Sequence, residues 1–503
     1  MSKITLSMIV KNEENYLPGC LESVKDIVDE IVIVDTGSTD GTLEIAEKFN
    51  AKIFRFEWIK DFSAARNFAL SKSNGDWILY LDADERISEK SKKEIQRLTN
   101  KKNKLGINCN IVNLDDHKDA PTLMKYIRLF RNDKNISFTG KAHEQIEASL
   151  IKQGYKIIDS KIEIIHLGYN VSKDKLKQKA NRNLELLLNE YNENPTSYGA
   201  YQIANSYSVL DDMEKSIFYT KKTLEYKNVR KEFKSVCYLR IADFEMQKGN
   251  LQLAKETIDK AINNDRNHPL INLLASHIYR QFNKNEEALR FCKNAFKQNE
   301  ILTRKNRSKN VLDIVINTKK IIYNGILASL NANNIKELEF FLNKLSKHSN
   351  TERELFQKIL ENNLINKNEL NELFNLLNEH NIEVILKIME RHNDNNLKLE
   401  FYSDIYNRFN NNSKYISSFG SFLISIGQLE EAEIILRTSL ENKNIDLSVI
   451  FYLISIYVEQ GEINKLTEII LLGETLTKNN KILQKKLFEI KNKILPLITK
   501  IPF

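Results

Sequence analysis

The chain has 503 residues, 42% of them hydrophobic and 28% charged, with a formal net charge of +8. That length exceeds one ordinary core and predicts two or more domains, while the composition excludes a disordered or fibrous chain. No apolar run reaches the roughly 18 to 20 residues of a membrane span, so no integral membrane segment is expected. The excess Lys is interleaved with Glu and Asp along helical stretches; solvated helix faces account for it, and no nucleic-acid partner is expected. The start, MSKITLSMIVKNEEN, lacks the apolar h-region of a secretory signal, which predicts a cytoplasmic protein. Cys20, Cys109, Cys237 and Cys292 are scattered without CxxC spacing and read as reduced, buried thiols, with no zinc site or disulfide framework.

In chain order, Lys3–Val10 is a short apolar strand, followed by a helical stretch through Tyr16, Leu17, Leu21 and Val24. Glu30–Val34 is a second strand that ends in Asp35-Thr36-Gly37-Ser38-Thr39-Asp40-Gly41, and a helix with Leu43, Ile45, Ala46 and Phe49 on its apolar side comes next. Lys52–Phe56 is a third strand, a helix runs through Ala64–Leu70, and a fourth strand, Trp77–Leu81, stops at Asp82. This alternation predicts a parallel sheet with helices on both faces, whose ligands bind at the carboxyl ends of the strands. The three polar clusters Lys11–Glu14, Asp35–Asp40 and Asp82–Glu85 all lie at such ends.

From about Leu105 to Ile165 separated strand candidates appear: GINCNIV, KYIRLF, ISFTG and KIIDSKIEII. They predict an antiparallel extension on the acceptor side, with Arg128, Arg131, His143, Glu144 and His166 between and after them. Beyond Tyr169 the pattern turns helical and repeats itself. IANSYSVLDDMEKSIFYTKKTL, IADFEMQKGNLQLAKETIDKAI and ASHIYRQFNKNEEALRFCKNAF align on Ser216, Ala254 and Ala288, the last two 34 residues apart. A second pair aligns on Ala432 and Leu466, again 34 apart, and between Glu300 and Glu400 the chain is expected to stay helical with a degenerate repeat. A Gly or Asn turn precedes the second helix in all but the first of these segments, which has Asp211-Asp212 there. The expected product is a curved α-solenoid with a concave face for peptides or proteins.

In the extended segment Asp82-Ala83-Asp84 the carboxylates at i and i+2 point the same way. Two hard oxygen ligands on one side suit Mg²⁺ or Mn²⁺ bridging a nucleotide diphosphate. A DxD tripeptide is common by chance; its position at the end of a fourth parallel strand gives it meaning. The Asp35–Gly41 turn permits capping of the next helix by Ser38, Thr39 or Asp40, and it lacks both GxGxxG and P-loop spacing, which disfavours dehydrogenase and NTPase readings. Asp35, at the strand end, is placed to accept hydrogen bonds from a base or ribose. Arg128 and Arg131 flank a strand and suit phosphate oxygens or a surface position equally. Trp58 either walls the site or staples its loop, and His117, in the polar loop NLDDHKDAP, reads as solvated.

MIVKNEENYLPGCLESV, VDEIVIVDTGSTDGTLEIAEKF, DFSAARNFAL and GDWILYLDADE, in this order, resemble the family 2 glycosyltransferases of GT-A fold, in particular the bacterial subgroup with a tetratricopeptide tail. The resemblance covers residues 4 to 88 most specifically, then FTGKAHEQ and IIHLGY, and the repeats extend it. It implies a GT-A (Rossmann-like nucleotide-diphospho-sugar transferase) domain over residues 1–170 and an all-α tetratricopeptide-like solenoid over 171–503, split near 300–400. It also implies roles: Glu13 and Asp35 on the nucleoside with Val10 beside the base, Arg66 approaching the nucleotide with Asn67 in support, Asp82 facing ribose or metal water, and Asp84 as metal ligand. His166, ending a strand, is a candidate late ligand or diphosphate contact, giving a metal set of Asp84, Asp82 and His166. The acidic pair that serves as base in many family 2 enzymes is missing, and Glu144 takes its place with His143 as the alternative.

The reading is therefore an inverting, Mn²⁺- or Mg²⁺-dependent transfer of a hexosyl or N-acetylhexosaminyl group from a nucleotide sugar, UDP-linked, to a protein or peptide side chain that the repeats present. A lipopolysaccharide or lipid-linked glycan is the alternative acceptor, a non-catalytic peptide-binding scaffold the alternative class, and the repeat surface offers a route to homo-oligomers.

Overall fold

A computed structural model describes residues 2–114, 122–168, 173–305, 312–363, 365–378, 380–409, 412–440, 447–477 and 481–498. The chain opens with β1 (Ile4–Val10), α1 (Leu17–Val24), β2 (Glu30–Asp35), α2 (Thr42–Lys48), β3 (Lys52–Arg55), α3 (Phe62–Lys72) and β4 (Trp77–Tyr80). These four strands lie parallel in the order β3-β2-β1-β4. The near-continuous apolar runs of β1, β2 and β4 reflect burial on both faces, as parallel sheets require, whereas β3 at the edge is partly exposed. Side chains alternate across β4 and its end: Trp77, Leu79 and Leu81 join the core with α1 residues Leu17 and Leu21, whereas Ile78 and Tyr80 pack with Leu70 of α3.

Next come β5 (Glu85–Ile87), α4 (Glu89–Thr99), β6 (Leu105–Asn113), β7 (Thr122–Arg131), α5 (Glu147–Lys152) and β8 (Lys156–His166). They continue the sheet in the order β4-β7-β6-β8-β5. This extension is mixed, not purely antiparallel as expected: β7 runs against β4 and β6, but β8 is parallel to β6. The reason is connectivity. The chain returns from β7 through α5 and skips a strand, so two reversals restore its direction. ISFTG is not a strand; it contributes a single bridge, Thr139 to Gln145. The Asn67 side chain occupies both backbone groups of Phe138, accepting from its N–H at 2.7 Å and donating to its carbonyl at 3.0 Å, so a ladder has nothing left to pair with there.

Glu30 locks the edge of the parallel strands opposite their ligand-binding end. Its carboxylate accepts from Thr5 Oγ1 at 2.6 Å, Lys52 Nζ at 2.7 Å and the Asn74 N–H at 2.8 Å. Burial alone would raise its pKa, but these partners outweigh burial and hold it at about 2 against an ordinary 4.5. A depressed carboxyl stabilises the fold above its unfolded pKa and loses that contribution as pH falls from 4.5 toward 2. Glu30→Gln is therefore expected to cost at most about 3 kcal/mol near neutral pH, with the gap to wild type closing on acidification. Urea titrations at several pH values measure this; a gap independent of pH would refute the assignment.

Helices follow: α6 (Lys173–Glu193), α7 (Ser197–Val209), α8 (Met213–Glu225), α9 (Lys231–Gln247), α10 (Leu251–Asn264), α11 (Pro269–Gln281) and α12 (Asn285–Lys305). The aligned small residues Ser216, Ala254 and Ala288 lie in α8, α10 and α12, each fully buried, where a larger side chain would push paired helices apart. After α12 the expectation of unbroken helix fails: β9 (Leu312–Ile314) pairs antiparallel with Thr122–Met124 of β7. Val315 packs there with Leu302, Val112 and Leu123.

Contacts divide the chain into two compact units. The first comprises Met1–Ile241, Lys260–Ile271 and Lys297–Asn317, the second Ala242–Asp259, Asn272–Phe296 and Thr318–Phe503. The second is helical, and the helices Ser413–Ser425 with Leu429–Leu440 and Ser448–Gln460 with Ile463–Leu476 carry the later repeat. Ala432 and Leu466 are buried as the alignment requires. Gly427 and Gly461, with φ of 80° and 72°, form the turns between the paired helices, a conformation that glycine adopts without strain. All four cysteines are free and buried. Among the described residues no helix is long and apolar enough to cross a membrane.

Candidate active site

The carboxyl ends of β1, β2 and β4 converge. Val10 and Asp35 are register partners in adjacent strands, which places the two expected nucleoside contacts side by side. The loops behind them are zipped together: Asn12 Oδ1 accepts from the Thr39 N–H at 2.8 Å, Ser38 Oγ accepts from the Asn12 N–H at 3.0 Å, and Thr42 Oγ1 accepts from the Glu13 N–H at 2.7 Å. Ser38 and Thr39 thus do not cap α2. Its N-cap is Gly41, and Asp40 bonds Thr42 just inside. Asp35 Oδ1 closes its own turn by accepting from the Ser38 N–H at 2.9 Å.

Behind the DxD motif lies a layer of buried charge. Arg66, on α3, donates from Nη2 to Asp82 Oδ1 at 2.6 Å and from Nε to Glu144 Oε1. Arg128, on β7, donates to Asp82 Oδ2 at 3.2 Å and to Glu85 Oε1 at 2.7 Å. Both guanidinium groups pack over the Tyr80 ring, at 5.1 and 4.6 Å. Burial alone would raise the Asp82 pKa, but Arg66 and Arg128 hold the carboxyl well below the usual range. Arg128 is therefore an internal strut and not a free phosphate ligand. Arg131 pairs with Asp76 at 3.5 Å, beside the opposite end of β4.

Asp84 points elsewhere. Its Oδ2 lies 3.4 Å from His166 Nε2, and the other ring nitrogen, Nδ1, lies 2.6 Å from Asn113 Oδ1. Asn113 thereby fixes the ring orientation, as the outer partner of a metal-ligating histidine does. Of the expected set Asp84, Asp82 and His166, the structure joins the first and last and commits both oxygens of Asp82 to arginines. Among the described residues no group of three or more His, Cys, Asp or Glu is arranged as a metal cluster. A carboxylate and an imidazole facing each other nonetheless fit a divalent cation that takes its other ligands from water and phosphate oxygens. Two observations support the fit. Burial pushes the Glu13 carboxyl up to about 7, and behind it repulsion from Asp84 acts in the same direction, so carboxylates gather at this strand end. A Cβ on Gly168 would lie 2.1 Å from Asp84 Oδ2 and 2.6 Å from His166 Nε2, in the space that a shared cation needs.

Gly168→Ala should accordingly leave the fold intact while weakening Mn²⁺ binding by about tenfold or more. Calorimetric titration of the cation, beside a melting curve, measures both; undiminished Mn²⁺ affinity would remove the pair from the metal reading.

The segment Lys141–Gln145 is held against α3. The Phe62 N–H donates to the Lys141 carbonyl at 3.0 Å, and Asn67 ties Phe138, so Asn67 positions this segment instead of a nucleotide. Glu144 Oε2 has no hydrogen-bond partner among the described residues, leaving one carboxylate oxygen anchored and one available. His143 is exposed with φ of 54°, and among the described residues no hydrogen bond joins its ring to the carboxylate layer. Trp58 packs edge-on against Phe62 at 4.8 Å and so staples its loop. His117 lies outside the described residues. Glu85, Asn113 and Gly168 also belong to the site, and no motif in the sequence marks them. Glu85 sits within the quoted DADE run, but its burial and its bond to the Asp82 N–H at 3.0 Å have no local signal, and Asn113 meets His166 only through β6–β8 pairing.

Residues 5–165 match the family described as Glycosyl transferase family 2, and residues 236–268 match Tetratricopeptide repeat. The sheet therefore carries a family 2 glycosyltransferase domain. A TPR repeat-containing protein of Synechococcus elongatus is 36% identical over 185 residues, 36% of this chain and 45% of that protein. The SPbeta prophage-derived glycosyltransferase SunS of Bacillus subtilis is 30% identical over 226 residues, 44% of this chain and 53% of that protein. The chain thus spans about half the length of the curated relatives it matches. Among solved structures, residues 1–349 of S. aureus TarS in complex with UDP-GlcNAc align with TM-score 0.28 and 17% identity, over 61% of this chain and 93% of that one. The glycosyltransferase domain contains every candidate site residue up to Ile165; His166 and Gly168 follow immediately.

Proposed function

We propose that this chain transfers a glycosyl group from a nucleotide-sugar donor, with inversion at the anomeric carbon and with the help of Mn²⁺ or Mg²⁺. The observation that carries the reading is the split of the DxD motif: Asp84 faces His166, while Asp82 is bridged through Arg66 to Glu144. One strand end thereby supports a cation site and a proton acceptor at once.

Val10, Glu13 and Asp35 would receive the nucleoside, and Asp84 and His166 would hold the cation. Bound there, the cation would supply Lewis-acid stabilisation of the leaving diphosphate. Glu144, oriented by Arg66, takes the proton of the acceptor group through Oε2. The acceptor lone pair forms the new bond to the anomeric carbon as the bond to the diphosphate oxygen breaks, its electron pair leaving with the diphosphate. The domain ends near residue 170 in this reading, and the repeats over 171–503 present a protein or peptide acceptor. That acceptor assignment rests on analogy with the surfaces that helical repeats offer. UDP is the expected nucleotide.

Incubating the full chain with a panel of nucleotide sugars, with and without Mn²⁺, and following released nucleoside diphosphate tests the donor and the cation. Adding peptide pools or lipopolysaccharide-core glycans in parallel separates the acceptors. Absence of donor binding and of turnover under all conditions would favour the scaffold reading.

A further inference from the structure

The loop that carries Glu144 is tight. Thr139 and Gln145 close it as a bridge, the Gln145 N–H donating to the Thr139 carbonyl at 2.8 Å and the Thr139 N–H to the Gln145 carbonyl at 3.0 Å. Between them Gly140 and His143 turn the chain, with φ of 103° and 54°. The second value is informative, because few residues other than glycine enter the left-handed region unless their surroundings hold them there. His143 directly precedes Glu144, so whatever holds its backbone also sets where the Glu144 side chain starts.

Part of that hold comes from beyond residue 165, outside the segment that matches the family. The Gln145 side-chain amide donates to the His143 carbonyl at 3.2 Å, the Glu144 carbonyl at 3.3 Å and the Tyr198 hydroxyl at 2.8 Å. That hydroxyl in turn donates to the His143 carbonyl, at 3.5 Å. Tyr198 stands in the first turn of α7, which Thr196 caps by accepting from the Gly199 N–H at 3.0 Å. Its ring meets Phe233 of α9 edge-on at 6.2 Å. Other helical residues reach the loop elsewhere: Glu190 and Glu193 hold Lys141, and Arg230 pairs with Glu147 at 3.3 Å. Of these, Tyr198 alone meets the peptide that joins His143 to Glu144.

Arg66 grips Glu144 from the other end, at Oε1. A general base must keep its free oxygen within hydrogen-bond reach of the acceptor, and a carboxylate fixed only at its tip swings with its backbone. We propose that Tyr198, acting through Gln145 and the His143 carbonyl, is a positioning residue for Glu144: it fixes the backbone end of the base as Arg66 fixes the carboxylate end. This rests on the assignment of Glu144 as base above. The first repeat helix thereby belongs to the catalytic machinery, in keeping with the compact unit around the sheet, which runs on through α7 to Ile241.

The test uses the full chain with Mn²⁺ and a panel of UDP-, GDP-, CDP- and dTDP-linked hexoses, following the nucleoside diphosphate released with water as acceptor. Tyr198→Phe removes one oxygen and keeps the ring on Phe233. With the best donor it is expected to lower kcat about tenfold or more, leaving donor KM and melting temperature unchanged. Gln145→Ala should fall as far and the double variant no further, because the two side chains act as one unit. Wild-type kcat in Tyr198→Phe overturns the proposal and leaves the transferase reading intact. So do additive losses in the double variant, or a donor KM or melting temperature that moves along with kcat, since Tyr198 would then support the fold and not the base. Full turnover in Glu144→Ala overturns the base assignment and the brace with it. A wild type that turns over none of the donors overturns the transferase reading and the brace together.

Discussion

Asp84→Ala is expected to lower glycosyl transfer by about 10³-fold or more while leaving the melting temperature close to that of wild type. The size follows from the cation that the proposed mechanism assigns to this side chain. Asp84 Oδ2 and His166 Nε2 face each other at 3.4 Å, and with the carboxylate gone the imidazole alone cannot retain Mn²⁺ or Mg²⁺. Loss of one electrostatic stabiliser of a developing anion typically costs about 10² to 10³ in rate, and a divalent cation is a larger one. The small effect on stability follows from the same geometry: removing Asp84 relieves its repulsion on Glu13, whose carboxyl stays raised by burial but less so. Measured rates at saturating donor, with Mn²⁺ binding in parallel, check both halves. Retained Mn²⁺-dependent turnover in Asp84→Ala would sink the assignment.

Arg66→Ala is expected to fail in the opposite way, through stability as well as rate. Arg66 is 6% exposed and bridges two carboxylates, Asp82 and Glu144, while packing over Tyr80 and Phe138. Removing it leaves two negative charges facing each other and Arg128 as the remaining counter-charge on Asp82. Breaking a buried ion pair from one side typically costs about 3–5 kcal/mol. The unfolding transition of the sheet-bearing unit should therefore shift down by several degrees, and turnover should collapse because Glu144 loses its anchor. Arg66→Lys, which keeps the charge but cannot fork to both acids, should fall between the two. An alanine variant that melts with wild type would show that the carboxylate layer is not held by this residue.

These two variants separate Asp82 and Asp84, neighbours in one DxD motif. Their equivalence in the sequence follows from strand geometry, in which i and i+2 share a direction. It ends where the strand ends: β4 stops at Tyr80, and beyond it each aspartate finds its own partners. Similarly, Arg128 and Arg131 both flank a strand, but Arg128 reaches the carboxylate layer under the site and Arg131 the far end of β4.

The parallel strands β1 to β4, the helices between them and the small-residue repeat were legible in the amino-acid order, because they arise from local periodicities in apolar residues and from turn chemistry. The same holds for the grouping of polar clusters at strand ends, a consequence of chain direction in a βαβ unit. The direction of β8, the return of β9 to β7, and the meeting of Asn113 with His166 depend on strand pairings across tens to hundreds of residues. Nothing in a local window encodes them. Tertiary packing also decided which charges neutralise one another: it brought Arg66 and Arg128, from α3 and β7, against Asp82, Glu85 and Glu144 in one layer. A charge buried in a low-dielectric layer must find a counter-charge, and only the folded chain determines which one is within reach.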